Sequence, residues 1–335
     1  MTNRERFINI LNFKKVEDRL PLVEWAAWWD KTIERWKKEG LPQGLDIEGT
    51  LEYFGFDKLI CIVAAGIDKK APKPLIHGGG LIKDEYSYNE LRKYLFTDSI
   101  IENIKKHALR LKERHEKGEI IIRLWLDGFF WFPRTIFGIE RHLYAFYDQP
   151  ELMHRINEEL TEFNIRAVEE LFKIIKPDMV GIAEDMSYNH GPMLSYSLFK
   201  EFLLPYYQQL VPYIKSYGVH VLVDSDGDIT SMIPWLKEAG IDGVYPLERQ
   251  AGVDLCKIRE QYPDFLMLGG YDKMVMPHGE EAMRAEFERL LPVMRVGGYI
   301  PSVDHQTPPG VSLENFKIYA RLFKEYCKKA VNGEK

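Results

Sequence analysis

The sequence predicts a single closed (β/α)8 barrel, and three observations lead to this prediction. Eight short apolar runs alternate with longer amphipathic segments along the 335 residues, as in folds where each parallel strand is followed by a covering helix. Runs such as EIIIRLWLDG (119–128) are almost continuously apolar, which suits strands buried on both faces. No phosphate-binding GxGxxG follows the first run, so an open doubly wound sheet is the less favoured alternative.

The predicted strands are taken from these apolar runs in chain order. They cover 19–25, 58–65, 119–128, 177–186, 218–226, 240–248, 264–272 and 297–305. Acidic residues stand at the carboxyl end of nearly every one: Glu24, Asp127, Glu184, Asp185, Asp224, Asp226, Glu248, Asp272 and Asp304. In a barrel these ends converge on one rim, where the active sites of such folds are found.

Three amphipathic segments between and after the strands have clear helix signals. Residues 99–118 place five apolar side chains on one face and end at Gly118. A second helix is predicted from Ser195, its N-cap, to Gly218, and a third begins at Ser312.

We expect one domain spanning residues 1–335, because no low-complexity tract or Gly/Ser linker divides the chain. An N-terminal helical extension precedes the barrel. Residues 66–97, which are rich in proline and glycine, are predicted to be an insertion after the second strand, a small hairpin or lid over the barrel mouth.

The composition excludes several classes of protein. The net charge of −6 offers no basic surface, so we expect no binding to nucleic acid or to anionic membranes. Three scattered cysteines argue against a disulfide framework and against a thiolate zinc site. With no signal-peptide core and no run of 18 apolar residues, the chain is expected to be cytoplasmic.

The acidic rim suggests a divalent metal site. So many converging carboxylates would repel one another unless a cation or a bound proton shared the site. We predict Asp226, His305 and Glu184 as ligands, since His with carboxylates suits zinc and other divalent ions. The alternative for His305 is a structural role, and Asp228 is expected to cap the next helix. Asp226, Glu184 and His190 are the predicted proton-transfer residues.

Aromatic residues are concentrated after the first and third strands, in EWAAWWD (24–30) and RLWLDGFFWFPR (123–134). Such clusters can form a flat-walled apolar pocket for a ring-bearing ligand, or they can pack loops against helices. The predicted substrate-binding residues are Trp25, Trp29, Trp125, Phe130, Trp131 and Tyr188.

Three longer segments carry a resemblance to a known family. EDMSYNHGPMLSYSLFKEFLLPYYQQL (184–210), the stretch from DSDGDITSMIPWL to FLMLGGYD (224–272) and TPPGVSLENF (307–316) resemble the uroporphyrinogen decarboxylase superfamily. That superfamily includes the decarboxylase of haem synthesis and cobalamin-dependent methyltransferases. The resemblance covers essentially the whole chain and implies the same barrel, possible dimerisation and an enzymatic function.

Departures from the family pattern favour one kind of member. The decarboxylase has an RQAGR-type segment that binds substrate carboxylates, whereas this chain has PLVEWAAWWDK (21–31) with acids instead. Thiol-methylating members bind zinc through HxCGN and a later cysteine, and here Asp224, Asp226 and His305 stand at the corresponding positions. Harder ligands suit an oxygen-bearing substrate.

The resemblance is therefore strongest to corrinoid-dependent O-demethylases, in which a methyl group passes to cob(I)alamin on a separate protein. Breaking an aryl ether needs help at its oxygen, from a metal or from a carboxylic acid with a raised pKa. No corrinoid-binding DxHxxG motif occurs here, so the cobalamin would come from a partner. The alternatives are a lyase acting on a smaller carboxylic acid, with Arg123, Arg134 or Arg249 supplying positive charge, and a binding module without catalysis.

Overall fold

In the computed structural model, which describes residues 1–332, seven parallel strands form a curled sheet surrounded by helices, and the barrel prediction is confirmed. The strands of the sheet occur in the order β1-β2-β3-β6-β7-β8-β9, and β4 pairs with β5 in a separate hairpin. The strands are β1 (Lys58–Ala64), β2 (Ile120–Asp127), β3 (Met179–Ala183), β4 (Ser187–Tyr188), β5 (Gly191–Pro192), β6 (His220–Asp224), β7 (Gly243–Tyr245), β8 (Leu266–Tyr271) and β9 (Tyr299–Val303).

Fourteen α-helices flank and precede the strands in the described residues. They are α1 (Asn3–Leu11), α2 (Asp30–Lys38), α3 (Ile47–Phe54), α4 (Glu85–Leu91), α5 (Asp98–Glu116), α6 (Trp131–Phe137), α7 (Ile139–Asp148), α8 (Pro150–Phe172), α9 (Tyr196–Phe202), α10 (Leu204–Lys215), α11 (Ile233–Glu238), α12 (Leu255–Gln261), α13 (Glu280–Met294) and α14 (Leu313–Asn332). The predicted apolar face of α5 is buried as expected. Between residues 1 and 332 no helix combines the length and apolar character needed to cross a membrane.

The first predicted strand is not a regular strand. Residues 19–25 run between β1 and β9 but form only an isolated parallel bridge, from Val23 to Asp57. The reason lies in the neighbouring groups: Pro21 has no N–H to donate, and the Asp57 carboxylate accepts the Leu22 N–H at 2.9 Å in place of a strand partner. The segment still contacts both outer strands of the sheet: the Leu22 carbonyl accepts the Asp57 N–H beside β1, and the Trp25 N–H donates to the Ser302 hydroxyl in β9.

Two further predictions needed correction. The insertion 66–97 contains α4 and a short 3-10 turn rather than a hairpin, and an antiparallel bridge from Ile67 to Leu95 joins its two ends. The helix predicted from Ser195 to Gly218 is divided into α9 and α10, because Pro205 near the start of α10 cannot donate a helical hydrogen bond. Ser195 does cap α9, accepting the Leu198 N–H at 3.3 Å.

The strand register brings the acidic ends to one height. Asp127 at the end of β2 pairs with Ala183, which pairs with Asp224, which in turn pairs with Tyr245. Because all seven strands of the sheet are parallel, the loops that follow them meet on the same face. The candidate site lies on this face.

Candidate active site

A cavity of about 360 Å³ opens at the carboxyl ends of the strands. Its volume falls in the range of pockets that bind small ligands. It is lined by Trp25, Ala26, Arg123, Trp125, Trp131, Ala183, Glu184, Asp185, Asp224, Asp226, His305 and Gln306. The structure thus brings together three of the predicted aromatic residues with all three predicted metal ligands.

Aromatic side chains form the walls of the cavity. The Trp25 indole N–H donates to the Val303 carbonyl at 2.8 Å, which fixes the ring against the end of β9. The ring also meets His305 edge-on, with 6.2 Å between centroids. Trp131 also lines the cavity, and the Arg134 guanidinium lies over its ring, 5.5 Å from the centroid. These contacts hold two walls in fixed orientations.

Asp226 is presented by a tight loop after β6. Gly227 has φ +86°, and a Cβ there would lie 2.6 Å from the Tyr188 backbone, so only glycine fits. The Gly227 N–H donates to Glu248 at 2.9 Å. Asp228 accepts the Thr230 N–H at 3.0 Å, but the short 3-10 helix that follows has Ile229 at its N-cap without a side-chain hydrogen bond, so Asp228 supports the turn and does not cap a helix as predicted. The loop therefore directs Asp226, with 39% of its side chain exposed, to the mouth.

Burial raises the pKa of two carboxyl groups at this strand end, Asp224 and Asp226. Burial, followed by the nearby charges of Asp185, Glu248 and Asp224, raises the pKa of Asp226 to about 8. Burial is also the main reason that the pKa of Asp224 rises to about 7. His305 Nε2 lies 3.5 Å from Asp226, and burial lowers the pKa of this imidazole. At neutral pH the mouth therefore contains a neutral histidine beside a largely protonated carboxylic acid.

Glu184 is fully buried and holds the loop that begins α6. Its carboxylate accepts the N–H groups of Phe129 at 2.8 Å, Phe130 at 2.7 Å and Trp131 at 3.2 Å. The Tyr207 hydroxyl donates a further hydrogen bond. Burial raises its pKa to about 7 although these hydrogen bonds lower it. Glu184 thereby positions Trp131 in the cavity wall.

Arg123, from the middle of β2, contributes a positive charge to the cavity lining. Its side chain is buried, and its guanidinium lies 5.8 Å from the Trp25 ring centroid and 5.3 Å from that of Tyr245. Of the three arginines named from the sequence, this one lines the cavity. The Arg134 guanidinium donates to the Asp185 carbonyl and that of Arg249 to the Val253 carbonyl.

The uroporphyrinogen decarboxylase (URO-D) family model matches residues 134–326, more than half of the chain. The chain belongs to this family. No curated protein sequence shows significant similarity to it. The solved structure of a methyltransferase from Methanosarcina mazei aligns with TM-score 0.66 and 15% identity, over 97% of this chain and 99% of that one.

A B12-independent methionine synthase from Shewanella sp. W3-18-1 aligns with TM-score 0.47 and 12% identity, over 96% of each chain. At 15% identity the alignment with the Methanosarcina methyltransferase shows a shared fold. Family membership, by contrast, identifies an enzyme, and the cavity at the strand ends is its candidate active site.

The three predicted metal ligands of this URO-D family member are not arranged to bind one metal ion together. Asp226 and His305 are neighbours, but the oxygens of Glu184 are engaged by three N–H groups and a hydroxyl. Within residues 1–332 no group of three or more His, Cys, Asp or Glu side chains is arranged to hold a metal ion. The donors therefore fit the predicted site poorly, and metal binding stays a prediction.

Four of the predicted site residues do not line the cavity. Phe130 is fully buried against His142, while Trp29 is the residue before α2 and is 44% exposed. Tyr188 and His190 lie in and beside the exposed β4–β5 hairpin and contact each other. All four residues flank predicted strands, which is why the sequence suggested that they line a pocket. Their side chains instead lie in the core or at the surface.

Sequence reasoning gave Tyr245 no role, although it packs edge-on against Trp25 with 5.2 Å between centroids. Arg123 was named only as a source of positive charge. A single arginine inside the apolar run EIIIRLWLDG was the available signal, since a buried charge is rarely placed in a strand without a partner.

Proposed function

We propose that this protein is a methyltransferase that takes a methyl group from a small methoxylated aromatic substrate and passes it to a corrinoid on a separate protein. The observation that carries the proposal is that three tryptophans, Trp25, Trp125 and Trp131, line a cavity together with Asp226, whose pKa burial raises to about 8. The shared fold of the Methanosarcina methyltransferase supports this class of reaction.

The proposed chemistry needs a proton at the ether oxygen. Phenolate is a poor leaving group, so Asp226 would donate its proton to that oxygen as the methyl–oxygen bond breaks. The partner's corrinoid would accept the methyl group at cobalt(I), which would supply the electron pair of the new bond. The phenol would leave with the proton of Asp226, and the ionised Asp226 would regain a proton from water. The aromatic walls would hold the ring and exclude water.

The direct test is an anaerobic assay in which cob(I)alamin is mixed with the protein and one methoxylated aromatic at a time. Loss of the cob(I)alamin absorption band with one such substrate, and not with its demethylated phenol, would support methyl transfer. We expect the reaction to survive a chelator, because a carboxylic acid supplies the proton. Loss of activity on chelation, with recovery on adding zinc, would favour the metal prediction instead.

The position of Arg123 in the cavity favours a second candidate, a lyase that decarboxylates a small acid. Such an enzyme needs a cation for the substrate carboxylate and an acid to protonate the carbanion left when CO2 departs. Arg123 and Asp226 line one cavity and could serve these roles. Release of CO2 from an aromatic acid without any corrinoid would establish the lyase, and CO2 release is measured in the same reactions.

A further inference from the structure

The sheet has an open edge at β1. In the strand order β1 stands at one end, so the other described strands leave it a single partner, β2. The segment 19–25 reaches it only through the parallel bridge from Val23 to Asp57, one residue before the strand begins. In a closed barrel every strand has two neighbours and no such edge exists. The main-chain N–H and C=O groups of residues 58–64 that face away from β2 are therefore not taken up by another strand of residues 1–332.

Side-chain burial shows that solvent reaches this edge. Val63 is 48% exposed and residues 58–61 are only half-buried, whereas β2 is buried at every position but Trp125. Edge strands usually carry prolines, charges or bulges that prevent pairing with other chains. The sequence of β1, KLICIVA, has one charge, Lys58, at its first position and is otherwise apolar. The strand is thus suited to pairing with a further strand.

A groove of about 770 Å³ runs beside this edge. One side is formed by the second half of β1, and the other by α5, where Ile100 and Ile104 are spaced one turn apart. None of its lining residues lines the candidate active-site cavity. Free main-chain groups beside apolar surface are what an added strand requires, because the main chain provides the affinity and alternate side chains pack into the groove.

The groove is positively charged where β1 ends. Lys69 and Lys70 line it there, both are exposed, and neither forms an ion pair with a side chain of residues 1–332. The neighbouring acid, Asp68, is already engaged, since it accepts the Thr97 and Ser99 hydroxyls and the Lys70 N–H. Acidic side chains on a docked strand would supply the counter-charge that the two lysines lack. Because exposed ion pairs contribute little each, charge selects the partner and adds modestly to its affinity.

We propose that the open edge of β1 is a docking site for an extended, acidic segment of another protein, which adds to the sheet as a further strand. One end of this segment lies beside Lys69 and Lys70. The docked strand is separated from β2 only by β1, and Trp125 of β2 lines the active-site cavity. Docking therefore brings the partner close to the wall of that cavity. The proposal does not depend on the reaction proposed above.

Binding of designed peptides to the full chain tests the proposal by fluorescence anisotropy. The acidic probe has five alternating valines and threonines, flanked by two glutamates at each end. The basic probe has lysines in place of the glutamates, and it should bind roughly 3- to 10-fold more weakly, as expected for the loss of two exposed ion pairs. The third probe is the acidic peptide N-methylated at all five core residues. It should bind roughly tenfold more weakly or worse, because it cannot donate main-chain hydrogen bonds.

Hydrogen exchange and two charge variants locate the binding. The acidic probe should slow exchange at amides of residues 58–64. Lys69→Glu/Lys70→Glu should reverse the preference, and its binding of the basic probe also shows that the variant folds. Lys14→Glu/Lys15→Glu changes the net charge equally at an exposed lysine pair outside the groove, so it should keep the preference for the acidic probe.

Four results would overturn the proposal. They are equal binding of all three probes, binding of none at millimolar concentration, slowed exchange that spares residues 58–64, and loss of the preference in the control variant as well. Sedimentation velocity completes the test. A dimer whose β1 amides are protected without any peptide would mean that a second copy of this chain covers the edge, and this too would reject an acidic partner.

Discussion

Asp226 is the residue whose chemistry depends most on its neighbours. It stands at the mouth of the cavity, where Asp185, Glu248 and Asp224 all contribute negative charge. Together with burial, these charges disfavour the ionised form of Asp226, so the group remains an acid where an ordinary aspartate would not. The same loop sequence, DSDGD, thus contains one carboxyl group whose pKa is raised, Asp226, and one that accepts the Thr230 N–H, Asp228.

The pH dependence of methyl transfer should follow the proton on Asp226. Because the pKa is raised to about 8, the acid form predominates at pH 7, and the rate should fall as pH rises through about 8. Asp226→Asn should lower the rate by roughly 100-fold or more, since general acid catalysis contributes about that much. The measurement is cob(I)alamin consumption between pH 6.5 and 9.

Asp228→Asn is the matched control, because asparagine can still accept the Thr230 N–H and keep the turn. It should retain the unaltered pH profile. An unchanged rate in Asp226→Asn would remove Asp226 from the mechanism.

Among the loops, the one after β6 depends on a single glycine. Gly227 combines a positive φ with close approach to the Tyr188 backbone, whereas Gly252 has φ +90° with nothing within 4 Å of a Cβ. Gly252→Ala should therefore cost only the backbone strain, roughly 1–2 kcal/mol. Gly227→Ala should lower the free energy of unfolding in urea by more than this. It should also lower the rate of methyl transfer, because the loop has to shift to accommodate the new Cβ and Asp226 shifts with it. Equal losses in the two variants would contradict this account of the loop.

The loop before α6 depends on Glu184 in a similar way. Glu184→Gln puts an amide N–H against backbone N–H groups, leaving a buried donor unsatisfied at a cost of roughly 1–3 kcal/mol. We expect a lower free energy of unfolding in urea and faster hydrogen exchange at the Phe129 and Phe130 amides. Glu238→Gln is the control, since that exposed carboxylate accepts the Tyr196 hydroxyl and, among residues 1–332, no backbone N–H.

The elements that carry repeated apolar patterns could be predicted from the sequence, and those that depend on side-chain hydrogen bonds could not. The face of α5 and the strand ends bearing Asp226 and His305 follow from local patterns. The engagement of Glu184 requires N–H groups some fifty residues earlier, which no local pattern reveals. The same holds for Arg123, whose neighbours Trp25 and Tyr245 come from distant segments.

Across the whole molecule, several carboxyl groups are protonated more readily than usual because burial removes their hydration. Burial raises the pKa to about 6 for Asp127 and Asp304, about 7 for Glu184 and Asp224, and about 8 for Asp226. Each of these groups binds its proton more tightly in the folded than in the unfolded chain. Their contribution to stability is therefore complete at low pH and is lost as pH rises through these values.

Two histidines act in the opposite direction below neutral pH. Burial lowers the pKa of His142 to about 3 and also lowers that of His305. The unfolded chain takes up these protons below about pH 6.5, so they reduce stability as the pH falls further. The two histidines therefore weaken, but do not cancel, the effect of the five carboxyl groups down to about pH 4 to 5, where carboxyl groups of the unfolded chain also take up protons.

We therefore predict that the melting temperature rises as pH is lowered from 8.5 to 6.5 and continues to rise down to about pH 5, as measured by differential scanning fluorimetry. In this window Glu184, Asp224 and Asp226 gain protons in the folded state while free carboxyl groups stay ionised. The double variant Asp224→Asn/Asp226→Asn should flatten the profile, whatever its absolute stability. Glu116→Gln, at an exposed position, should leave the slope unchanged. A melting temperature that instead rises with pH across this window would mean that the acids at the mouth are ionised and balanced by a cation.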